Sequence, residues 1–169
     1  MEDSSILVGQ EGQTGTARVI GKGSFKNARH LAKYVEKASK AGMRDLVIDL
    51  QDCIHMDSTF MGVMAGLAAG RRKETLSTTR VINTNARNLE LLQTLGLDRI
   101  LSIEANAPAS SSGDFKPLDH ADTEDKQEVA QTMLQAHQNL VDLDSQNAAK
   151  FQDVLVYLKD KLGISDSAR

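Results

Sequence analysis

The segment that decides the fold runs Leu46-Val-Ile-Asp-Leu-Gln-Asp-Cys-Ile-His-Met-Asp-Ser-Thr59. Its first five residues begin with a continuous apolar run, which is typical of a buried central strand. A short loop follows, and Asp57-Ser58-Thr59 stands where an apolar helix over residues 59–73 is expected to begin. Asp, Ser and Thr are common at the N-cap of a helix. The segment therefore predicts a buried strand that leads through a loop into a helix.

The same alternation of strands and helices extends to both sides of this segment. Apolar periodicity and Gly or Asn at the breaks predict strands over 6–10, 16–20, 80–83 and 99–103, and helices over 27–40 and 86–95. The predicted order is β-β-α-β-α-β-α-β. Right-handed crossovers between parallel strands place their helices on the same side. The predicted fold class is therefore α/β, with a mixed sheet and helices packed on one face.

A change in composition divides the chain into modules. Residues 1–104 form the predicted α/β domain, and residues 105–118, rich in small polar residues with Pro and Gly, a predicted flexible linker. Residues 119–169 carry two apolar stripes and predict a helical hairpin. Stripes of this kind need a covering surface, and three remain open: the body of the same chain, a second copy in a homodimer, or a partner protein.

Composition excludes several classes of function. The chain has 169 residues, a net charge of −3 and one cysteine, Cys53, so neither an internal disulfide nor a cysteine-rich zinc site is possible. The histidines lack metal-ligand spacing, and we expect no metal or cofactor. Without a basic excess, nucleic acid is not the expected partner. The acidic start is unlike a secretory signal and no apolar stretch approaches about 20 residues, so we expect no membrane insertion and a cytoplasmic location.

Two stretches resemble a known family. The string Asp49-Leu-x-x-Cys-Ile-His-Met-Asp-Ser-Thr-x-x-Gly-Val63 is similar to the signature of STAS domains, the anti-sigma factor antagonist family. The stretch from Asn83 to Ile100 is similar to the second half of such domains, with Gly96-Leu97 before the last strand. Phe60 stands where the family usually has glycine. The resemblance covers residues 6–104 and implies a STAS-like fold.

The resemblance also implies a function and a site. It implies a non-enzymatic domain that binds an anti-sigma factor, itself a serine kinase, which phosphorylates Ser58 and releases the complex; a serine phosphatase restores binding. Asp57 is expected in the loop that contacts the kinase. The other expected contacts with the partner are Thr59, Phe60, Met61 and Asn85.

The position of Ser58 gives this switch a physical basis. Unpaired N–H groups and the helix dipole favour negative charge at a helix N-terminus. A phosphoserine there would add about 1.5 to 2 negative charges beside Asp57 and repel an acidic partner surface.

A second interpretation is that Asp57, Ser58 and Thr59 merely cap the helix. Ser58 would then be only a cap, in a constitutive, non-phosphorylated scaffold subunit of a transport or sensory complex. A hydrolase built on Ser58 and His55 would need an orienting carboxylate and an oxyanion hole, which no motif marks, so no enzyme is expected.

Overall fold

The structure is a computed structural model that describes residues 4–72, 77–108, 114–118 and 125–164. Within these ranges the strands are β1 (Ser5–Glu11), β2 (Thr14–Gly23), β3 (Asp45–Asp49), β4 (Cys53–Met56), β5 (Thr78–Ile82), β6 (Ser102–Glu104) and β7 (Lys116–Pro117). The helices are α1 (Phe25–Lys40), α2 (Ser58–Arg72), α3 (Ala86–Thr94), α4 (Lys126–Leu143) and α5 (Asn147–Lys161).

The strands form one mixed sheet in the order β6-β5-β3-β2-β1-β7. β1 is antiparallel to both β2 and β7, whereas β2, β3, β5 and β6 are parallel neighbours. β4 pairs in parallel with the end of β2, beyond a register shift between Gly21 and Lys22. The register of β2 against β3 places Ala17 opposite Ile48, and both side chains are fully buried.

The helical connections all move across the sheet in one direction. α1 joins β2 to β3, α2 leads to β5, and α3 leads to β6, each strand lying next to the preceding parallel one. Right-handed connections then place these helices on the same face, and α1 and α2 pack against each other. The predicted α/β class with a mixed sheet and helices is confirmed.

The core lies between the sheet and this helical layer. Apolar side chains of β1, α1 and β3 meet there, because their spacing follows the periods of a strand and of a helix. Its largest fully buried members are Ile6, Val19, Leu31, Leu46, Ile48, Leu50, Met56, Phe60, Met64, Leu92, Leu97 and Leu140. Leu140 belongs to α4, so the C-terminal hairpin shares the core of the body.

Two strands differ from the prediction. Residues 97–99 form a short 3-10 helix, so the strand predicted over 99–103 is wrong at its start and runs over Ser102–Glu104. Gly96, with φ 86°, turns the chain there, and the burial of Leu97 holds the turn against the core. β4 was not predicted, because four residues without clear alternation resemble a loop in sequence.

The predicted linker also contains a strand. Lys116–Pro117 pairs with β1, and the Leu118 N–H donates to Ile6 O at 2.8 Å. The ring of Phe115 packs over Gly9 and lies 4.3 Å from the guanidinium carbon of Arg18. The end of the predicted linker therefore joins the sheet through Lys116–Pro117, and the preceding Phe115 anchors it there. Residues 109–113 lie outside the described residues.

The C-terminal helices form a hairpin that packs on the body in the same chain. α4 crosses α2 closely, since a Cβ at Gly62 would overlap the backbone of Ala136. Asn139 Nδ2 donates to Gly62 O at 3.1 Å, and Asn147 Nδ2 donates to Leu95 O at 3.0 Å. Of the three surfaces left open for the apolar stripes, the structure uses the body of the chain. Across the described ranges, no helix is both long and apolar enough to cross a membrane.

Candidate functional site at the start of helix α2

Asp57 is the N-cap of α2. Its Oδ1 accepts the Phe60 N–H at 2.8 Å, and its carbonyl accepts the first intrahelical bond from Met61 at 3.1 Å. Its other carboxylate oxygen, Oδ2, accepts the Phe25 N–H at 2.9 Å, in the first turn of α1. The Asp57 N–H itself donates to Gly23 O at 2.9 Å. One carboxylate thus fixes the beginnings of two helices relative to the end of β2.

Ser58 is the first helical residue and does not cap the helix. The interpretation of Ser58 as a cap is therefore wrong, because Asp57 already accepts the N–H group that a cap residue would satisfy. The half-buried Ser58 instead pairs its Oγ with His137 Nε2 at 2.9 Å, across 79 residues of sequence. The side chain has a partner from the hairpin, and not from its own helix.

The orientation of His137 defines the direction of this hydrogen bond. Its Nδ1 lies 2.6 Å from Met133 O, and a carbonyl oxygen only accepts, so Nδ1 carries a proton. In the neutral ring Nε2 is then an acceptor, and the Ser58 hydroxyl donates to it. The ring is 3% exposed and meets Phe151 edge-on, with centroids 5.0 Å apart. The imidazole is thus held from three sides over the start of α2.

The next three residues of the segment are buried with the hairpin in place. Thr59, Phe60 and Met61 are at most 3% exposed, so in this arrangement they do not present the partner contacts expected of them. The ring of Phe60 occupies space left by Gly23, since a Cβ there would lie 2.7 Å from the ring. Phe60 therefore serves the core, and the matching space is supplied by glycine on β2.

Asn85 lies on the surface as the N-cap of α3. Its Oδ1 accepts the Asn88 N–H at 2.7 Å, and its Nδ2 donates to Cys53 O at 3.3 Å. Asn88 Nδ2 donates to the same carbonyl at 3.0 Å. Both amides fasten α3 to β4, the strand that leads to Asp57. Burial raises the pKa of the Cys53 thiol, which suits a core residue better than a reactive thiol.

His137 is the residue that sequence reasoning missed. The stripe of Val129, Met133, Ala136 and Leu140 was visible, and His137 follows Ala136 directly, at its edge. A buried histidine on an apolar face often has a specific partner. Its partner, however, depends on where the hairpin docks. Within the described ranges, no group of three or more His, Cys, Asp or Glu could hold a metal ion.

The model of the STAS domain family matches residues 6–109, more than half of the chain. The chain belongs to the STAS domain family. The matched range holds the sheet through β6, the first three helices and Ser58. Helices α4 and α5, and with them His137, lie outside it. No curated protein sequence matches the chain.

Solved structures of anti-sigma factor antagonists share this fold. A Thermotoga maritima protein described as an anti-sigma factor antagonist is 19% identical, with a TM-score of 0.52 over 63% of this chain and 87% of its own. SpoIIAA in its unphosphorylated form is 13% identical, with a TM-score of 0.51 over 62% and 90%. The Bacillus cell fate determinant SpoIIAA in its phosphorylated form is 14% identical, with a TM-score of 0.51 over 62% and 93%. At these identities the likeness concerns the fold.

Proposed function

We propose that this STAS domain is an anti-sigma factor antagonist that binds an anti-sigma factor with serine kinase activity and is released when Ser58 is phosphorylated. A serine phosphatase then restores binding. The observation that carries the proposal is the hydroxyl of Ser58, which stands at the first position of α2 and is not used as a cap. The fold is shared with SpoIIAA, a protein solved in both unphosphorylated and phosphorylated forms.

The proposed reaction is phosphoryl transfer from ATP. Ser58 Oγ attacks the γ-phosphorus and forms a new bond to it, the bond between the γ-phosphorus and the bridging oxygen breaks to release ADP, and the hydroxyl proton passes to a base of the kinase. The phosphate adds about 1.5 to 2 negative charges at the start of α2. The helix dipole tolerates this charge, and the adjacent Asp57 carboxylate adds to it. The effect therefore falls on the docked partner through repulsion and desolvation, while the fold persists.

Phosphate mapping tests the proposal first. Protein purified from its own cells, in growth and under stress, should carry one phosphate at Ser58, and the S58A variant should carry none there. Intact mass followed by peptide mapping gives this result. Absence of the phosphate in every condition would contradict the switch and favour the constitutive scaffold.

Charge substitution tests the consequence for binding. In affinity purification, the S58D variant should not retain the partner protein that wild type retains. The retained partner should also transfer the γ-phosphate of ATP to Ser58 in vitro. S102D is the matched control, because Ser102 is exposed on β6 and the charge change is the same. Equal retention by S58D and S102D would refute the proposed function.

A further inference from the structure

The hairpin covers the face of α2 that begins with Ser58. Along this face, Ser58 pairs with His137, Gly62 meets the backbone of Ala136, and Gly62 O accepts from Asn139. These contacts fall on two positions of α2, Ser58 and Gly62, about one helical turn apart, and all come from residues 136–139 of α4. Gly66 extends the same line, since a Cβ there would overlap the Asn139 amide.

We infer that the hairpin is an intramolecular competitor for this face of α2, so that phosphorylation of Ser58 and docking of the partner both require α4 to detach. The inference rests on the proposed function of Ser58. In the closed form the Ser58 hydroxyl is hydrogen-bonded to a buried imidazole. A kinase that approaches that hydroxyl must first displace the imidazole, and with it the helix that carries it.

Further contacts hold the hairpin in the closed position. Arg29 on α1 forms an ion pair with Glu128 at the start of α4. At the other end Arg99 pairs with Asp144 at 3.1 Å, and Lys150 donates to Thr94 O at 3.2 Å. These contacts are exposed at one or both partners and contribute little individually. They fix the two ends of the hairpin, while Ala136 and Leu140 of α4 are buried in the core between them.

The contacts of α4 also define the partner. A segment that replaces α4 must be an amphipathic helix with a small residue, as Ala136 is, opposite Gly62, because a Cβ built at Gly62 would lie only 2.7 Å from Ala136 Cβ and the two helices therefore approach closely. One turn away it needs an amide or similar donor for Gly62 O. The partner is therefore a protein that presents such a helix. In the closed form, α4 makes the contacts with α2 that the partner helix would make.

Thiol labelling at position 58 tests the inference in the full-length protein. S58C places a thiol at a helix N-terminus, where thiolates form readily and react with iodoacetamide once exposed. The native Cys53 is 3% exposed and its pKa is raised by burial, so it reports unfolding of the body in the same sample. Mass spectrometry separates the two sites.

Two alanine substitutions in α2 give a matched comparison. In the S58C protein, G62A should loosen α4, because the added methyl overlaps the Ala136 backbone. G70A makes the same change on the same helix, where nothing lies within 4 Å of the added Cβ. Labelling at position 58 should be at least about tenfold faster with G62A than with G70A, with Cys53 labelling unchanged, as expected of a local opening.

Equal rates at position 58 in the two variants, whether fast or slow, would overturn the inference. If G62A also accelerates labelling of Cys53, the body has unfolded. In that case N139A, which removes the donor to Gly62 O and keeps His137, replaces G62A. It should label faster at position 58 than G70A does, with Cys53 labelling unchanged. The two proposals can fail separately. If Ser58 is phosphorylated but G62A and G70A label equally fast at position 58, only the proposed function stands. If the labelling rates differ but no phosphate is found at Ser58, only the competition by the hairpin stands.

Discussion

The carboxylate of Asp57 bridges to the backbone N–H of Phe25 at 2.9 Å and so joins the start of α2 to the start of α1. The same side chain caps α2 through Phe60 N at 2.8 Å. Both bonds go to N–H groups that the helices themselves cannot satisfy. One carboxylate on the body therefore holds the starts of both helices next to Ser58.

We predict that D57A lowers the free energy of unfolding by about 2–3 kcal/mol, because it removes a cap and leaves a second N–H without an acceptor. D52A is the control, since Asp52 is exposed in the turn before β4, and it should change stability by less than about 0.5 kcal/mol. Urea denaturation measures both. Equal effects of the two variants would refute the bridging role of Asp57.

Phe60 is predicted to be a core residue despite its place in the site. F60A should lower the free energy of unfolding by about 3–5 kcal/mol, because the ring is fully buried and leaves a cavity against Gly23. Y157A, at a residue 63% exposed on α5, should stay within about 0.5 kcal/mol. Chemical denaturation distinguishes them. A nearly neutral F60A would mean that Phe60 faces a partner after all.

Phe115 is predicted to hold β7 on the sheet. F115A removes the ring between Gly9 and Arg18, so the Leu118 amide, bonded to Ile6 O, should exchange roughly tenfold faster with solvent. K116A, an exposed change on the same strand, is the control and should leave that exchange unaltered. Hydrogen exchange followed by mass spectrometry or NMR gives the comparison. Equal exchange in both variants would show that backbone pairing alone holds β7.

Alkaline pH is predicted to weaken the fold through Cys53 and Tyr34. Burial raises the pKa of both groups above their ordinary values of 9.0 and 10.0. At a pH between the pKa of the unfolded state and that of the folded state, the native state binds more protons than the unfolded state, so the free energy of unfolding falls as pH rises. The stabilisation of the protonated groups is fully present below the unfolded pKa. The free energy of unfolding should therefore decline from about pH 9 upward.

The contribution of Cys53 to this decline is separable. C53A should lower stability at neutral pH, because it removes a buried side chain, and should also show a shallower decline above pH 9. Denaturation series at neutral and alkaline pH measure both effects. An identical slope in wild type and C53A would contradict the role assigned to the thiol.

Local pattern was enough to predict most of the body. The apolar run at 46–48 is typical of a buried strand, and Leu31 and Val35 follow the period of a helix, so their elements are visible without tertiary context. β4 and β7 are too short to show a period. Asn85 and Asn88 hold β4 from distant positions in the sequence, and Phe115, next to β7, packs on the distant Gly9 and Arg18. Such contacts cannot be inferred from spacing.

The site was predictable only in part. The position of Asp57 and Ser58 before an apolar helix marked the segment, but which of them caps depends on backbone geometry at Gly23 and Phe25. The inward direction of Phe60 depends on the glycine opposite it. His137 reaches Ser58 only once α4 has docked. Each of these relationships joins residues that are separate in sequence, and pattern analysis does not connect them.

The short connection between the sheet and α4 has a quantitative consequence for any competing protein. Leu118 is bonded to β1, and Asp125, the N-cap of α4, is seven positions further on. A tether this short gives an effective concentration on the order of millimolar. A free protein at micromolar concentration is thus outnumbered about a thousandfold, which corresponds to about 4 kcal/mol. In the inferred competition, a free partner at that concentration must therefore bind the α2 face about a thousandfold more tightly than α4 does in order to displace it.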